Sequence, residues 1–154
     1  MAGHELHLVE ESDLPELLPL MRGYCDFYGV DPADEELLSM SRTLIADRAG
    51  EGLQLLARSA DDGRALGFAT IFWSWSTLSA SRIGVMNDLF VAADGRGSGV
   101  ADALILGCVE RCRQLGGITS LQWQTAKDNL RAQAVYERVG AVRGEWLDYS
   151  LEVG

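Results

Sequence analysis

Apolar and polar positions along this 154-residue chain switch between two periods. Leu6 to Val9 alternates, which predicts a first strand. Ser12 or Asp13 can cap the helix that follows, and Pro15 and Glu16 suit its first turn. Leu14, Leu17, Leu18, Met21 and Cys25 then recur every three or four positions, until Gly29 and Pro32 break the pattern. A second helix starts near Asp34, with Leu37, Leu38, Ser41, Leu44 and Ile45 as its inner face, and Gly50 and Gly52 close it. Leu53 to Arg58 reads as a strand, Asp62-Gly63 as a hairpin turn, and Ala65 to Trp75 as a strand apolar on both faces, hence central and covered on both sides. Arg82 or Ile83 to Val91 is the next strand. Ala101, Leu104, Ile105, Cys108, Val109, Cys112 and Leu115 share one helix face, which Gly116-Gly117 stop. Ile118 to Gln124 reads as a strand, and Asp128 or Asn129 caps a short helix to about Val139. Arg143 to Val153, carrying Trp146, Tyr149 and Leu151, reads as a final strand.

The predicted order is strand, two helices, three strands, helix, strand, helix, strand. That describes an α/β chain with a mixed central sheet and helices on its faces, not the strict alternation of a doubly wound dinucleotide fold. The length suits a single domain over residues 1–154.

Charge narrows the function. The formal net charge is -10 at pH 7 and the sequence pI is about 4.5. Nucleic-acid binding runs on Lys and Arg neutralising phosphates, so no nucleic-acid partner is expected. A cationic small molecule is compatible with such a field, as is plain solubility. The three cysteines, Cys25, Cys108 and Cys112, have no further Cys or His nearby at ligand spacing, so no metal site is expected. Without a signal-like start or an apolar run of membrane length, the chain reads as cytoplasmic, with no membrane partner.

The chemistry concentrates in Asn87-Asp88-Leu89-Phe90-Val91-Ala92-Ala93-Asp94-Gly95-Arg96-Gly97-Ser98-Gly99-Val100-Ala101. A strand ends, glycines crowd a turn, and a helix begins. Unpaired amides at a helix start carry partial positive charge and suit phosphate oxygens. Glycines clear the approach, and Gly97, Ser98, Gly99, Val100 and Ala101 are the expected donors, with Arg96 at the rim. The dinucleotide pattern GxGxxG does not fit, because Gly95, Gly97 and Gly99 alternate, and the P-loop lysine is missing. A ligand-free glycine turn is the plain alternative.

Arg96-Gly97-Ser98-Gly99-Val100-Ala101 matches Arg/Gln-x-x-Gly-x-Gly/Ala, the acetyl-CoA signature of the Gcn5-related N-acetyltransferases. The chain resembles that family, with the polyamine, diamine and histone-type small acetyltransferases as the most similar branch. Asn129, Ala132, Tyr136, Glu137 and Gly140 resemble its second cofactor segment. The resemblance implies a mostly antiparallel mixed sheet with helices on both faces. It also implies two splayed strands that bind acetyl-CoA, and commonly a homodimer. It places Leu89, Phe90 and Val91 against the pantetheine arm through their main chain, as in strand addition. Asn129 and Ala132 are implied on the cofactor, and Tyr136 near the thioester sulfur. A phenol of ordinary pKa near 10 can protonate a departing thiolate whose conjugate acid lies near 8.5; as a bare residue, Tyr136 also reads as helix core.

Relatives often carry an acid pair before the apolar run. Here the pair is Asn87-Asp88, leaving Asp88 as the candidate to bind or deprotonate the amine, or as an ordinary strand-end aspartate. Tyr28, Trp73 and Trp75, with Asn87, are expected to line the acceptor side, where aromatics and nearby carboxylates suit an ammonium; the indoles also read as sheet core. The implied activity is acetyl transfer from acetyl-CoA to a primary amine of a small cationic acceptor by direct attack. A protein or peptide lysine acceptor and a non-catalytic CoA-binding module are the alternatives.

Overall fold

The computed structural model describes residues 3–154. The backbone falls into two units, one running to Gln124 and one from Thr125 to Gly154. The first holds five strands: β1 (His4–Leu8), β2 (Gly52–Ser59), β3 (Ala65–Ser76), β4 (Ser81–Val91) and β5 (Ile118–Gln122). It also holds three helices, α1 (Leu14–Phe27), α2 (Asp34–Ala46) and α3 (Val100–Leu115). The strands lie side by side in chain order; β1 to β4 pair antiparallel, and β5 pairs parallel to β4. A parallel neighbour needs a crossover, and α3 supplies it. The mixed, mostly antiparallel α/β fold expected from the sequence is present.

Adjacent residues of β2 and β3 point to opposite faces, and both faces are covered. On one side Leu56 and Phe68 pack with Leu17, Leu20, Met21 and Cys25 of α1 and with Leu37 of α2. Leu17 and Leu56 are fully enclosed, each contributing on the order of 2 kcal/mol by leaving water. On the other side α3 comes close enough that a Cβ on Gly107 would stand 2.6 Å from Leu6. Leu104, Ile105 and Cys108 fill that face. Leu115, expected on the same stripe, is largely exposed at the last turn, where Gly116 at φ 78° turns the chain away.

One capping expectation changes. A 3-10 turn, Glu11–Asp13, precedes α1, and Asp13 makes no side-chain cap on that helix. Its carboxylate instead accepts the Glu10 amide at 2.8 Å, capping the 3-10 turn.

The second unit contains α4 (Leu130–Arg138), capped by Asn129, whose Oδ1 accepts the Ala132 N–H at 3.2 Å. The strand expected over Arg143 to Val153 does not form: residues 141–154 carry no helix or strand, and Trp146, Tyr149 and Leu151 are all more than four-fifths exposed. Side-chain alternation marks a segment suited to a sheet, but a strand exists only when another backbone completes its ladder.

Candidate active site

Two features of the first unit mark the candidate site. β4 pairs with β5 only at Arg82, Gly84 and Val85. β5 ends at Gln122 while β4 runs on to Val91. The parallel strands therefore part over the second half of β4, leaving the β4 edge near Leu89, Phe90 and Val91 without a ladder to β5. Those side chains are half-buried, and Phe90 packs against the α1 core.

The glycine loop follows. A second 3-10 turn, Ala93–Gly95, leads to Gly97 at φ 80° and to Gly99 at φ 83°, the residue before α3. L-side chains rarely adopt that conformation, and a Cβ at either position would stand in open space. Ala103 N–H closes the first helical bond on the Gly99 carbonyl at 3.0 Å, so the amides from Gly97 to Ala101 stand ahead of it. Ser98 Oγ donates to the Gly95 carbonyl at 2.6 Å and Arg96 Nε to the Val91 carbonyl at 3.1 Å. The Arg96 side chain, expected only as a rim charge, thus also ties the loop to the end of β4.

A bulge interrupts β4 just before Leu89. Thr70 of β3 pairs with Asp88, but Ile71 pairs with Met86, so Asn87 is the extra residue. Asn87 Nδ2 donates to Asp88 Oδ1 at 2.9 Å, and the Tyr24 hydroxyl of α1 donates to the Asn87 carbonyl at 3.1 Å. Asp88 is only 7% exposed. Burial pushes its carboxyl above the usual range, against hydrogen bonds from Thr70, Asn87 and Tyr24 that favour the ionised form. Burial first, and then the Asp88 charge, push the Tyr24 phenol up.

Aromatic residues stand beside the bulge. Tyr24 touches Tyr28, Phe68 and Phe90, and Tyr28 lies edge-on to Phe27. Tyr28 and Phe27 are exposed. The acidic turn after them is partly neutralised: Arg22 pairs with Asp31 at 3.0 Å and with Asp34. On β3, the half-buried Trp73 donates its indole N–H to the Arg48 carbonyl at 2.7 Å and lies under the Arg82 guanidinium. Trp75 is 73% exposed.

In the second unit, the Asn129 side-chain oxygen is committed to its cap, which leaves its amide nitrogen for other contacts. Ala132 and Tyr136 are half-buried on α4, and Tyr136 accepts the Ala141 N–H on its carbonyl at 3.0 Å.

Two residues in register with Asp88 were not expected from the sequence. Gln54 and Thr70 are buried polar side chains in apolar strands, and Gln54 Nε2 donates to Thr70 Oγ1 at 3.0 Å. The available signal was a lone polar residue inside each of two apolar runs, Leu53-Gln54-Leu55 and Ala69-Thr70-Ile71.

A curled mixed sheet with splayed parallel strands and a glycine-opened helix start describes a transferase that takes its group from a long, phosphate-bearing carrier. The family model described as the acetyltransferase (GNAT) family matches residues 17–141, and the chain belongs to that family. It is an N-acetyltransferase that uses acetyl-CoA. It is 26% identical over 129 residues to the uncharacterized N-acetyltransferase YhfO of Bacillus subtilis (strain 168), covering 84% of this chain and 83% of that protein. It is 27% identical over 162 residues to the phosphinothricin N-acetyltransferase of Alcaligenes faecalis, covering 95% of this chain and 79% of that protein. Among solved structures, aminoglycoside N-acetyltransferase AAC(6')-Iy in complex with CoA superposes with a TM-score of 0.83 at 19% identity, covering 99% of this chain and 96% of that one. Among the described residues no group of His, Cys, Asp or Glu could hold a metal, and no helix is long and apolar enough to cross a membrane.

Proposed function

We propose that the chain acts as a single N-acetyltransferase domain on a primary amine of a small cationic acceptor, by direct attack of the amine on acetyl-CoA. The observation that carries this reading is the pair of positive-φ glycines, Gly97 and Gly99, opening the amides of α3 beside the parting of β4 and β5. That cradle fits a diphosphate: its donors are backbone amides, and open space stands where a side chain would obstruct. Gly97, Ser98, Gly99, Val100 and Ala101 hold the phosphates, with Arg96 bracing the loop. The edge of β4 at Leu89, Phe90 and Val91, beyond its ladder with β5, accepts the pantetheine arm as a strand would, and the family resemblance adds Asn129 and Ala132 as cofactor contacts. When bound, acetyl-CoA supplies an acyl group on a thiol leaving group.

The chain's own groups handle the protons. The acceptor arrives as an ammonium, and its proton passes to the Asp88 carboxylate, leaving the electron pair on nitrogen. As the N–C bond forms and the C–S bond breaks, the Tyr136 hydroxyl gives its proton to the departing sulfur and regains one from the nitrogen, which loses its second proton on becoming an amide. Tyr28, Trp73, Trp75 and Asn87 shape the acceptor side. The phosphinothricin N-acetyltransferase likeness supports a small acceptor, as does the net charge of -10, which concentrates cations. A likeness to the polyamine, diamine and histone-type small acetyltransferases, homodimeric assembly and a cytoplasmic setting complete the reading.

Thiol release from acetyl-CoA across a panel of diamines, amino acids and lysine peptides tests it. Turnover with a small amine, falling by about 10²-fold or more in Tyr136→Phe, is the expected result. Acetylation of the peptides alone would move the acceptor to protein lysines. Tight acetyl-CoA binding with no thiol release from any amine would reduce the protein to a binding module.

A further inference from the structure

Gln54, Thr70 and Asp88 are in register across three strands: Gln54 pairs with Thr70 between β2 and β3, and Thr70 pairs with Asp88 between β3 and β4. Paired residues share a sheet face, and this row lies on the face that α1 covers, two residues along from Leu56, Phe68 and Phe90. Their exposures are 3%, 0% and 7%. A buried polar row costs stability that an apolar row would not, so its order carries information.

The donors run one way. Gln54 Nε2 occupies the Thr70 oxygen at 3.0 Å, which leaves the single hydroxyl proton of Thr70 to face its cross-strand partner, the Asp88 carboxylate, and favour its ionised form. The Gln54 amide is held by Met21, whose sulfur lies 3.9 Å from Nε2. Gln54 Oε1, by contrast, has no hydrogen-bond partner among the described residues. An amide that leaves its own acceptor unsatisfied in order to donate to Thr70 is placed for that donation, not for its own packing.

We infer that Thr70 and Gln54 are positioning residues for the acetyl-transfer reaction, a directed donor chain that keeps the Asp88 carboxylate ionised and aimed at the bulge, ready to take the ammonium proton. This rests on the proposal that Asp88 is the proton acceptor. The titratable groups facing Asp88 are the Tyr24 hydroxyl and, through space, the Cys25 thiol, both from α1; β3 and β4 present Thr70 and Asn87, which do not titrate. Thr70, the cross-strand partner of Asp88, thus faces the carboxylate from β3 with a group that does not titrate.

The test follows the Asp88 carboxyl by carbon-13 NMR, assigned by its loss in Asp88→Asn, and in parallel the acid limb of kcat/KM with acetyl-CoA and 1,4-diaminobutane. Thr70→Val keeps the shape but removes the donor. It is expected to move both the carboxyl midpoint and the acid limb up by about one pH unit. Thr70→Ser is expected to restore both, and Gln54→Leu to shift both in the same direction by less. Thermal melting confirms that each variant folds. A carboxyl midpoint unmoved in Thr70→Val overturns the donor chain, whatever the activity does. A midpoint that moves while the acid limb stays put overturns Asp88 as proton acceptor instead.

Discussion

The Tyr24 hydroxyl donates to the main-chain carbonyl of Asn87 at 3.1 Å, beside Asp88, whose ionised form it favours. One side chain of α1 therefore latches the bulge of β4 and its buried carboxylate. Close approach allows it: a Cβ on Gly23 would stand 2.7 Å from Phe90, so glycine there brings α1 down onto the strand. Tyr24→Phe keeps the ring against Phe68 and Phe90 and is expected to melt near the wild type. Its kcat/KM is expected to fall about tenfold, the worth of one hydrogen bond near the upper end of the usual range. Wild-type kinetics in this variant would show the latch to be idle.

Gly99 separates binding from folding. Its φ of 83° makes Gly99→Ala cost about 1 kcal/mol in backbone strain, a modest loss in thermal stability. The added Cβ meets no protein atom within 4 Å, so a loss beyond backbone strain falls on the ligand proposed to lie at this loop. Calorimetric affinity for CoA is expected to fall by more than that strain explains, at least tenfold. Equal losses in stability and affinity would place the diphosphate elsewhere.

Acid should unlock the start of α1. Asp13 is held by the Glu10 amide at 2.8 Å and by Arg58 at 2.8 Å, and Arg58 also grips Glu16. Burial raises the Asp13 carboxyl, but the Glu10 amide, Arg58 and His7 together outweigh it, and the net shift is downward from 3.8. A depressed carboxylate stabilises the fold above its unfolded value, and that contribution is lost as pH falls through the lower folded value. Arg58→Met is therefore expected to cost about 2 kcal/mol near neutral pH. The gap from wild type in urea unfolding is expected to close below pH of about 4. A gap that is constant with pH would assign the loss to packing alone.

Asn129 ends a short helix's start. Asn129→Ala removes the cap on Ala132 N–H and is expected to cost α4 about 1 kcal/mol. Asn129→Asp keeps an acceptor and is expected to restore the helix. If the amide nitrogen also holds acetyl-CoA, Asn129→Asp recovers helicity by circular dichroism without recovering the KM for acetyl-CoA. Full recovery of both would confine Asn129 to capping.

Much was legible in one dimension because it is local. Helical spacing marked α1, α2 and α3, and the apolar stripes of Leu17, Leu44 and Leu104 became core as read. Gly97 and Gly99 marked a loop that clears the start of α3, and the structure gives both a positive φ. The glycine signature named the family without any coordinates.

What pairing and packing decide lay outside the pattern. Leu147, Tyr149, Leu151 and Val153 alternate like strand residues, yet form no strand here, because a ladder needs a second backbone. The β4 bulge arises from a one-residue mismatch between Thr70–Asp88 and Ile71–Met86, a relation between two strands that neither encodes alone. The row of Gln54, Thr70 and Asp88 exists only once three strands are in register. Residue identity and short-range periodicity thus determined the elements and the phosphate loop, because backbone propensity and glycine geometry act within a few residues. The surroundings of Asp88 were decided by tertiary structure, because burial and hydrogen-bond direction belong to neighbours tens of residues apart in the chain.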